Sequence, residues 1–223
     1  MVRSTSQIPN AMKSSLLPVI PIAVILGACA GSATDKAGSV AVTSTTEVRG
    51  PLLRSVPPDS SGVHFTNTLI ETDSMNYFNF ENMYNGGGIA IGDVNGDGLA
   101  DLYFTGNQVD DRLYLNKGGL RFEDVTAKAL PKDQHGWHTG VTMGDANGDG
   151  KLDIYVCRGG IWSDPSTRTN RFYQNAGNDG NGIPVFKERA RELGIADTTR
   201  SDQAAFFDHD LDGDLDLYVI NTS

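Results

Sequence analysis

Three stretches of this 223-residue chain place oxygen-bearing side chains at one alternating spacing. The first is Asp93-Val94-Asn95-Gly96-Asp97-Gly98-Leu99-Ala100-Asp101. The second is Asp145-Ala146-Asn147-Gly148-Asp149-Gly150-Lys151-Leu152-Asp153, and the third is Asp208-His209-Asp210-Leu211-Asp212-Gly213-Asp214-Leu215-Asp216. Each has a carboxylate or amide at positions one, three, five and nine, and a glycine at position six. Alternate oxygen ligands on a loop that turns sharply at a glycine suit Ca²⁺, a hard cation of flexible geometry. Mg²⁺ takes fewer protein ligands and keeps more of its water. The ligand set read from each loop is four side chains, the backbone carbonyl at position seven (Leu99, Lys151 or Asp214), and water. One acidic loop is equally well a solvated turn. Three in one register point to metal.

The elements that position these ligands are strands. An EF-hand needs a bidentate glutamate at position twelve and a helix on either side; here position twelve is Phe104, Val156 or Val219. The residues after position nine are apolar and aromatic (Leu102-Tyr103-Phe104, Ile154-Tyr155-Val156, Leu217-Tyr218-Val219). Those before position one are also strand-like (Gly88-Ile89-Ala90-Ile91, Gly140-Val141-Thr142-Met143, Gln203-Ala204-Ala205-Phe206-Phe207). Each cation loop is therefore the turn of a β-hairpin.

A second, weaker repeat lies between the loops. Asp111-Arg112-Leu113-Tyr114-Leu115-Asn116-Lys117-Gly118-Gly119-Leu120-Arg121-Phe122 matches Asn170-Arg171-Phe172-Tyr173-Gln174-Asn175-Ala176-Gly177, followed after an insertion by Val185-Phe186. This pattern is a further hairpin, so each repeat supplies four short strands, the content of one propeller blade. The expected blades run over approximately 87–126, 139–190 and 202–223. The fold class predicted is all-β, a β-propeller of four-stranded blades of which about two and a half are present. The loops and their flanking strands resemble FG-GAP/VCBS repeats, the calcium-loop blades of integrin α-subunit propellers and of many secreted bacterial proteins. Tyr84-Asn85-Gly86-Gly87-Gly88, Asn116-Lys117-Gly118 and Gln203-Ala204-Ala205-Phe206-Phe207-Asp208 resemble a group of bacterial exported proteins related to cartilage acidic protein. The resemblance implies several more repeats and a C-terminal ASPIC/UnbV domain. With the sequence given ending at Ser223, after the second strand of the third repeat, the expectation is a fragment of a longer product or a chain that assembles with something else. Gly62-Val63-His64-Phe65-Thr66-Asn67 reads as an outermost strand without a blade of its own.

Residues 1–28 read as an export signal: Lys13 precedes the apolar run Leu16 to Leu26, too short to span a bilayer comfortably. Its end, Leu26-Gly27-Ala28-Cys29, resembles the lipobox of bacterial lipoproteins, which implies lipidation at Cys29 and a bacterial outer-membrane or cell-surface location. Residues 29–61, rich in Ser, Thr, Pro, Gly and Val, read as a flexible tether, and 62–223 as the repeat region. Cys157, then without a partner, is expected to be a small core residue. The formal charge of −10 disfavours nucleic acid as a partner. Much of it is local: the loops hold three, three and five aspartates.

Because each cation loop joins strands one and two, the connection from strand two to three and the entry into strand one lie on the opposite rim. There Trp137, Trp162, Tyr77 and Tyr84 could stack on sugars or peptides, and Arg158 and Arg168 could pair with acidic groups. The alternative for Trp137 is that it packs between blades, and His135 and His138 with Asp133 are either a metal or acid/base cluster, or residues of a polar turn. No nucleophile–base pair, phosphate loop or zinc spacing occurs. The expectation is a non-enzymatic, surface-anchored, calcium-stabilised propeller that binds a glycan or protein and meets the membrane only through its lipid. The rival expectations are the propeller part of a polysaccharide-acting enzyme and a scaffold for a C-terminal domain.

Overall fold

The computed structural model describes residues 53–132 and 136–222. Cys29, and with it the export signal and most of the tether, lies outside the described residues, as do Asp133 and His135.

The described chain is almost entirely β. Four strands, β1 (Ile89–Gly92), β2 (Asp101–Phe104), β3 (Arg112–Asn116) and β4 (Phe122–Asp124), form an antiparallel sheet in chain order. A second sheet repeats the pattern with β5 (His138–Gly144), β6 (Asp153–Arg158), β7 (Arg171–Asn178) and β8 (Pro184–Glu188). A third sheet pairs β9 (Arg200–Phe207) with β10 (Asp216–Thr222). The pairings Gly92↔Asp101, Gly144↔Asp153 and Phe207↔Asp216 put each cation loop at the end of its first hairpin. This is the meander of propeller blades.

Alternation along each strand sends every second side chain to one face, and the three sheets stack through those faces. Tyr103, Leu113 and Leu115 of the first sheet pack against Val141, Ile154, Val156, Tyr173 and Phe186 of the second. The second sheet's other face, with Tyr155, Cys157 and Phe172, meets Ala204, Phe206, Leu217 and Val219 of the third. Cys157 is fully buried in that interface, and burial pushes its thiol up to about 12. The innermost strands come very close. A Cβ on Gly140 would lie 2.5 Å from the Asp202 carbonyl oxygen, so only glycine lets β5 approach β9 this way. The stack's two outer faces expose apolar side chains: Ile89 and Ile91 on one, Phe207, Tyr218 and Ile220 on the other.

One expectation is corrected here. Gly62 to Asn67 is not a strand. The segment lies against the first sheet, held by ring stacking of Phe65 on Phe104 (centroids 5.1 Å apart) and by an amide pair. In that pair Asn67 Nδ2 donates to Asn107 Oδ1 (2.6 Å) and Asn107 N donates to Asn67 Oδ1 (3.0 Å). Contacts through side chains do not need the ladder a strand would require.

The sheets are also clasped by a repeated polar residue at the start of the third strand. Asp111 accepts from the Tyr103 hydroxyl (2.6 Å) and from the Gly106 amide (2.9 Å), and pairs with His138 Nδ1 of the next sheet (2.7 Å). Asn170, its counterpart, donates to the Tyr155 hydroxyl (3.1 Å) and to Ser201 Oγ of the next sheet (2.8 Å). Both clasps are buried, and the Asp111 carboxylate and Asn170 amide at their centres are each hydrogen-bonded.

Candidate metal loops and rim

The first loop is pre-shaped by its own aspartates. Asp93 Oδ1 accepts from the amides of Gly96 (2.7 Å) and Asp97 (3.2 Å), and its Oδ2 from Gly98 (2.8 Å). Asn95 Oδ1 accepts from Asp97 N (3.2 Å), and Asp97 Oδ1 from Leu99 N (2.9 Å). The second loop repeats these bonds. Asp145 takes the amides of Asp149 (3.0 Å) and Gly150 (2.8 Å), Asn147 takes Asp149 (3.1 Å), and Asp149 takes Lys151 (3.0 Å). Side-chain oxygens that bind loop amides fold the turn inward and gather the carboxylates. Each oxygen keeps acceptor capacity for a cation.

Position nine serves as a buried anchor in these two loops. Asp101 is fully buried; its Oδ2 accepts from Val94 N (2.9 Å) and its Oδ1 from Asn116 N (2.8 Å). Asp153, equally buried, accepts from Ala146 N (3.2 Å) and Asn175 N (2.8 Å). Burial pushes both carboxyls up, Asp153 to about 6. The amide bonds pull the other way, and the neighbouring loop aspartates add to the rise. A bound cation would favour the ionised forms. In the second loop Lys151 Nζ already lies 3.1 Å from Asp149 Oδ2.

The third loop differs. Position three is Asp210, position seven Asp214, and Asp216 at position nine is exposed, accepting from His209 N (3.0 Å). Asp208 Oδ2 accepts from Gly213 N (3.1 Å), while its Oδ1 is buried with no hydrogen-bond partner. Ligand oxygens of Asp208, Asp210 and Asp216 lie within 4.8 Å of one another. Asp212 Oδ1 accepts from Asp214 N (3.0 Å). An unpartnered buried carboxylate oxygen facing two further carboxylates fits a divalent cation with oxygen ligands. Ca²⁺ takes oxygen donors of this kind.

The rim residues divide by burial. Trp137 is 1% exposed, edge-on to Phe80 (5.0 Å) and tilted against Trp162 (6.5 Å). Arg158 is 3% exposed, with its amide on Asn170 Oδ1 (2.8 Å) and its Nη1 donating to the Thr169 carbonyl (3.3 Å). These two are thus enclosed rather than openly exposed, although Trp137 contributes to the lining of a cleft. Trp162 is exposed, and Arg168 beside it donates to the Trp162 and Thr198 carbonyls. Tyr77 and Tyr84 are exposed and stacked (6.4 Å), with Phe78 against Tyr77 (6.3 Å) and Tyr84 donating to Glu71. Phe78 escaped the sequence reading, although Tyr77-Phe78 is a surface aromatic pair in an Asn-rich turn. His138 is buried in β5 as the partner of Asp111, not on a polar turn. Asp111 also escaped that reading; its alignment with Asn170 in the second repeat was the available signal.

Between these groups, where β1, β5 and β9 begin, lies a cleft of about 360 Å³ lined by Phe80, Asn82, Trp137, Arg200, Asp202 and Gln203, among others. It opens at the strand ends away from the cation loops. Among the described residues, no helix is long and apolar enough to cross a membrane.

Comparison with known proteins agrees with this architecture. Residues 93–156, from the first cation loop to β6, match the family model of the FG-GAP-like repeat. The chain is 30% identical over 131 residues to cartilage acidic protein 1 of Xenopus tropicalis, covering 58% of this chain and 19% of that protein. It is 32% identical over 83 residues to cartilage acidic protein 1 of Homo sapiens (37% of this chain, 12% of that protein) and 31% identical over 80 residues to that of Mus musculus (36% and 12%). The matched stretches thus span about a fifth or less of these relatives. With their blade-like sheets and these matches, residues 93–156 carry an FG-GAP-like repeat.

Proposed function

We propose that this chain is a calcium-binding adhesion or recognition module, tethered at the bacterial surface through lipidated Cys29, whose rim takes a glycan or protein ligand. One observation carries the calcium reading: the convergence of Asp208, Asp210 and Asp216 around an Asp208 oxygen that no donor satisfies. The first two loops carry equivalent side chains already turned inward by their own amides. In each loop the side chains at positions one, three, five and nine and the carbonyl at position seven would hold the ion, which would supply positive charge to neutralise their repulsion and hold the turn closed. The role at these loops is structural. Recognition falls to the other rim, where Tyr77, Phe78, Tyr84 and Trp162 present exposed ring surface and Arg168 sits beside it. Exposed aromatic faces beside hydrogen-bonding groups suit sugar rings and peptide side chains alike.

Calorimetric titration of the chelated protein with Ca²⁺ tests the metal. Binding at three sites per chain is expected, with Asp97→Ala removing one and leaving two; no heat of binding would end the reading. Screening the calcium-loaded chain on immobilised glycans and surface proteins tests the rim. Tyr84→Ala and Trp162→Ala should each weaken capture. Capture unaffected by both would place recognition elsewhere.

A further inference from the structure

We infer that the first two cation loops form one coupled unit, joined by Asn175, and that the first loop is completed by the second blade. This rests on the calcium reading above. Asn175 is 2% exposed and touches both loops. Its Nδ2 donates across the sheet interface to the carbonyl of Val94, position two of the first loop (2.8 Å), and to the carbonyl of Leu152, position eight of the second (3.2 Å). Its backbone amide donates to Asp153 Oδ1, position nine of the second loop (2.8 Å). Its Oδ1 is occupied by the Gly177 amide (2.9 Å), which fixes the amide group's orientation. Three residues on, Asn178 Nδ2 donates to the carbonyl of Asn95, position three of the first loop (2.7 Å).

The first blade shows what is particular about this arrangement. Asn116, the counterpart of Asn175, binds its own loop in the same way, donating to the Ala100 carbonyl (2.9 Å) and, through its amide, to Asp101 Oδ1 (2.8 Å). Among the described residues no cation loop precedes the first blade, so Asn116 makes only the half of this arrangement that serves its own loop. In the second blade β7 runs on past Asn175, and its pairing with β8 shifts register between Asn175 and Asn178. A bulge re-aims the side chains beyond it. Here it lets Asn178 reach Asn95.

The consequence is coupling between the two loops. Closing the second loop fixes Leu152 and Asp153, which hold the backbone and side chain of Asn175. That side chain in turn holds the segment carrying the Asn95 ligand. An open second loop leaves the first one supported only by its own blade. Occupancy of either site should therefore favour the other, because coupling between two sites is reciprocal. Asn175 and Asn178 are positioning residues. Neither belongs to the ligand set.

The test follows the Gly98 and Gly150 amide resonances, one per loop, during calcium titration of the full ¹⁵N-labelled chain. Asn178→Ala, an exposed change that removes one bond to the first loop, should raise the calcium midpoint at Gly98 about fivefold and, through the reciprocal coupling, move Gly150 in the same direction by less. Asp149→Ala should abolish the response at Gly150 and raise the Gly98 midpoint by about fivefold. In an Asn175→Ala background, Asp149→Ala should shift Gly98 no further. A Gly98 midpoint indifferent to Asp149→Ala, or a shift that persists undiminished without Asn175, overturns the coupling while leaving calcium binding intact. If Asn175→Ala does not fold, a Gly98 midpoint unmoved by Asn178→Ala overturns completion by the second blade. Absence of a calcium response at both glycines overturns the metal reading itself.

Discussion

The first and third loops share a spacing but are built on opposite principles. The first hides its ninth-position carboxylate: Asp101 is fully buried and tied to two amides, and Val94 beside it is 3% exposed in the core between two sheets. Its shape is held by hydrogen bonds and packing that need no ion. The third loop leaves Asp216 exposed, carries five aspartates where the first carries three, and keeps an Asp208 oxygen without a donor. It also puts Leu211 at position four with φ 64°, where the other loops have Gly96 at 74° and Gly148 at 70°. A loop with more repulsion, fewer tethers and a side chain in the left-handed region depends more on its cation. On the calcium reading proposed above, one ligand pattern would support both a scaffolded site and one that the ion itself organises.

The largest effect that would sharpen or break this contrast is chelation. At a hundredfold excess over its dissociation constant, each bound ion contributes about 2.7 kcal/mol. Three sites on a domain of this size correspond to a fall in Tm of about 15–30 °C in chelator. The fall should be accompanied by chymotryptic cleavage after Leu211 or Leu215 before Leu99. An unchanged melting curve would remove calcium from the account, and first cleavage at Leu99 would reverse the order of the loops.

Next in size is the protection of Cys157. It lies between the second and third sheets, so it reports on docking of the third hairpin. With its thiol pushed up to about 12, alkylation at pH 8 should run roughly a thousandfold slower in the calcium-loaded protein than in the unfolded chain. Chelation should release much of that protection if the third loop is the weak one. Full protection in chelator would show that the hairpin stays docked without its ion.

These loops were legible because their ligands are local: nine consecutive residues state the turn, the spacing and the charge. The four-strand meander was legible for a similar reason, since apolar runs and Asn-Gly turns recur along the chain. The rim was not. Arg158 looks in sequence like a ligand contact and Trp137 like either a contact or a packing residue, and only the folded chain brings Phe80, ahead of β1, and Thr169, in the β6–β7 connection, against them. His138 likewise owes its role to Asp111, 27 residues away. The backbone reversal at Leu211 was hidden by its identity, because a leucine gives no signal of positive φ.

Removing the ninth-position carboxylate separates scaffold from ligand. In chelator, where no ion contributes, Asp101→Ala leaves the Val94 and Asn116 amides without their acceptor inside the protein. Each such loss costs about 1–3 kcal/mol. Asp216→Ala, at an exposed position, should change stability by less than about 0.5 kcal/mol under the same conditions. Urea unfolding midpoints of the two variants measure the difference. Equal losses would mean that Asp216 anchors its loop as Asp101 does, and the contrast between the two loops would fail.

The smallest effect is the most specific. Leu211→Gly gives the third loop the residue type that Gly96 and Gly148 supply in the other two. The leucine side chain is 86% exposed, so the change sacrifices little packing. Glycine adopts φ near +64° without the steric cost of a Cβ, about 1 kcal/mol. Glycine also loosens the unfolded chain, which offsets part of that gain. The net expectation is a stabilisation of a few tenths of a kcal/mol in chelator, read as a small rise in the urea midpoint, together with a slightly tighter third site. A loss of stability would mean that Leu211 makes its own contribution to the loop, and that its left-handed backbone is not where the third site is weakest.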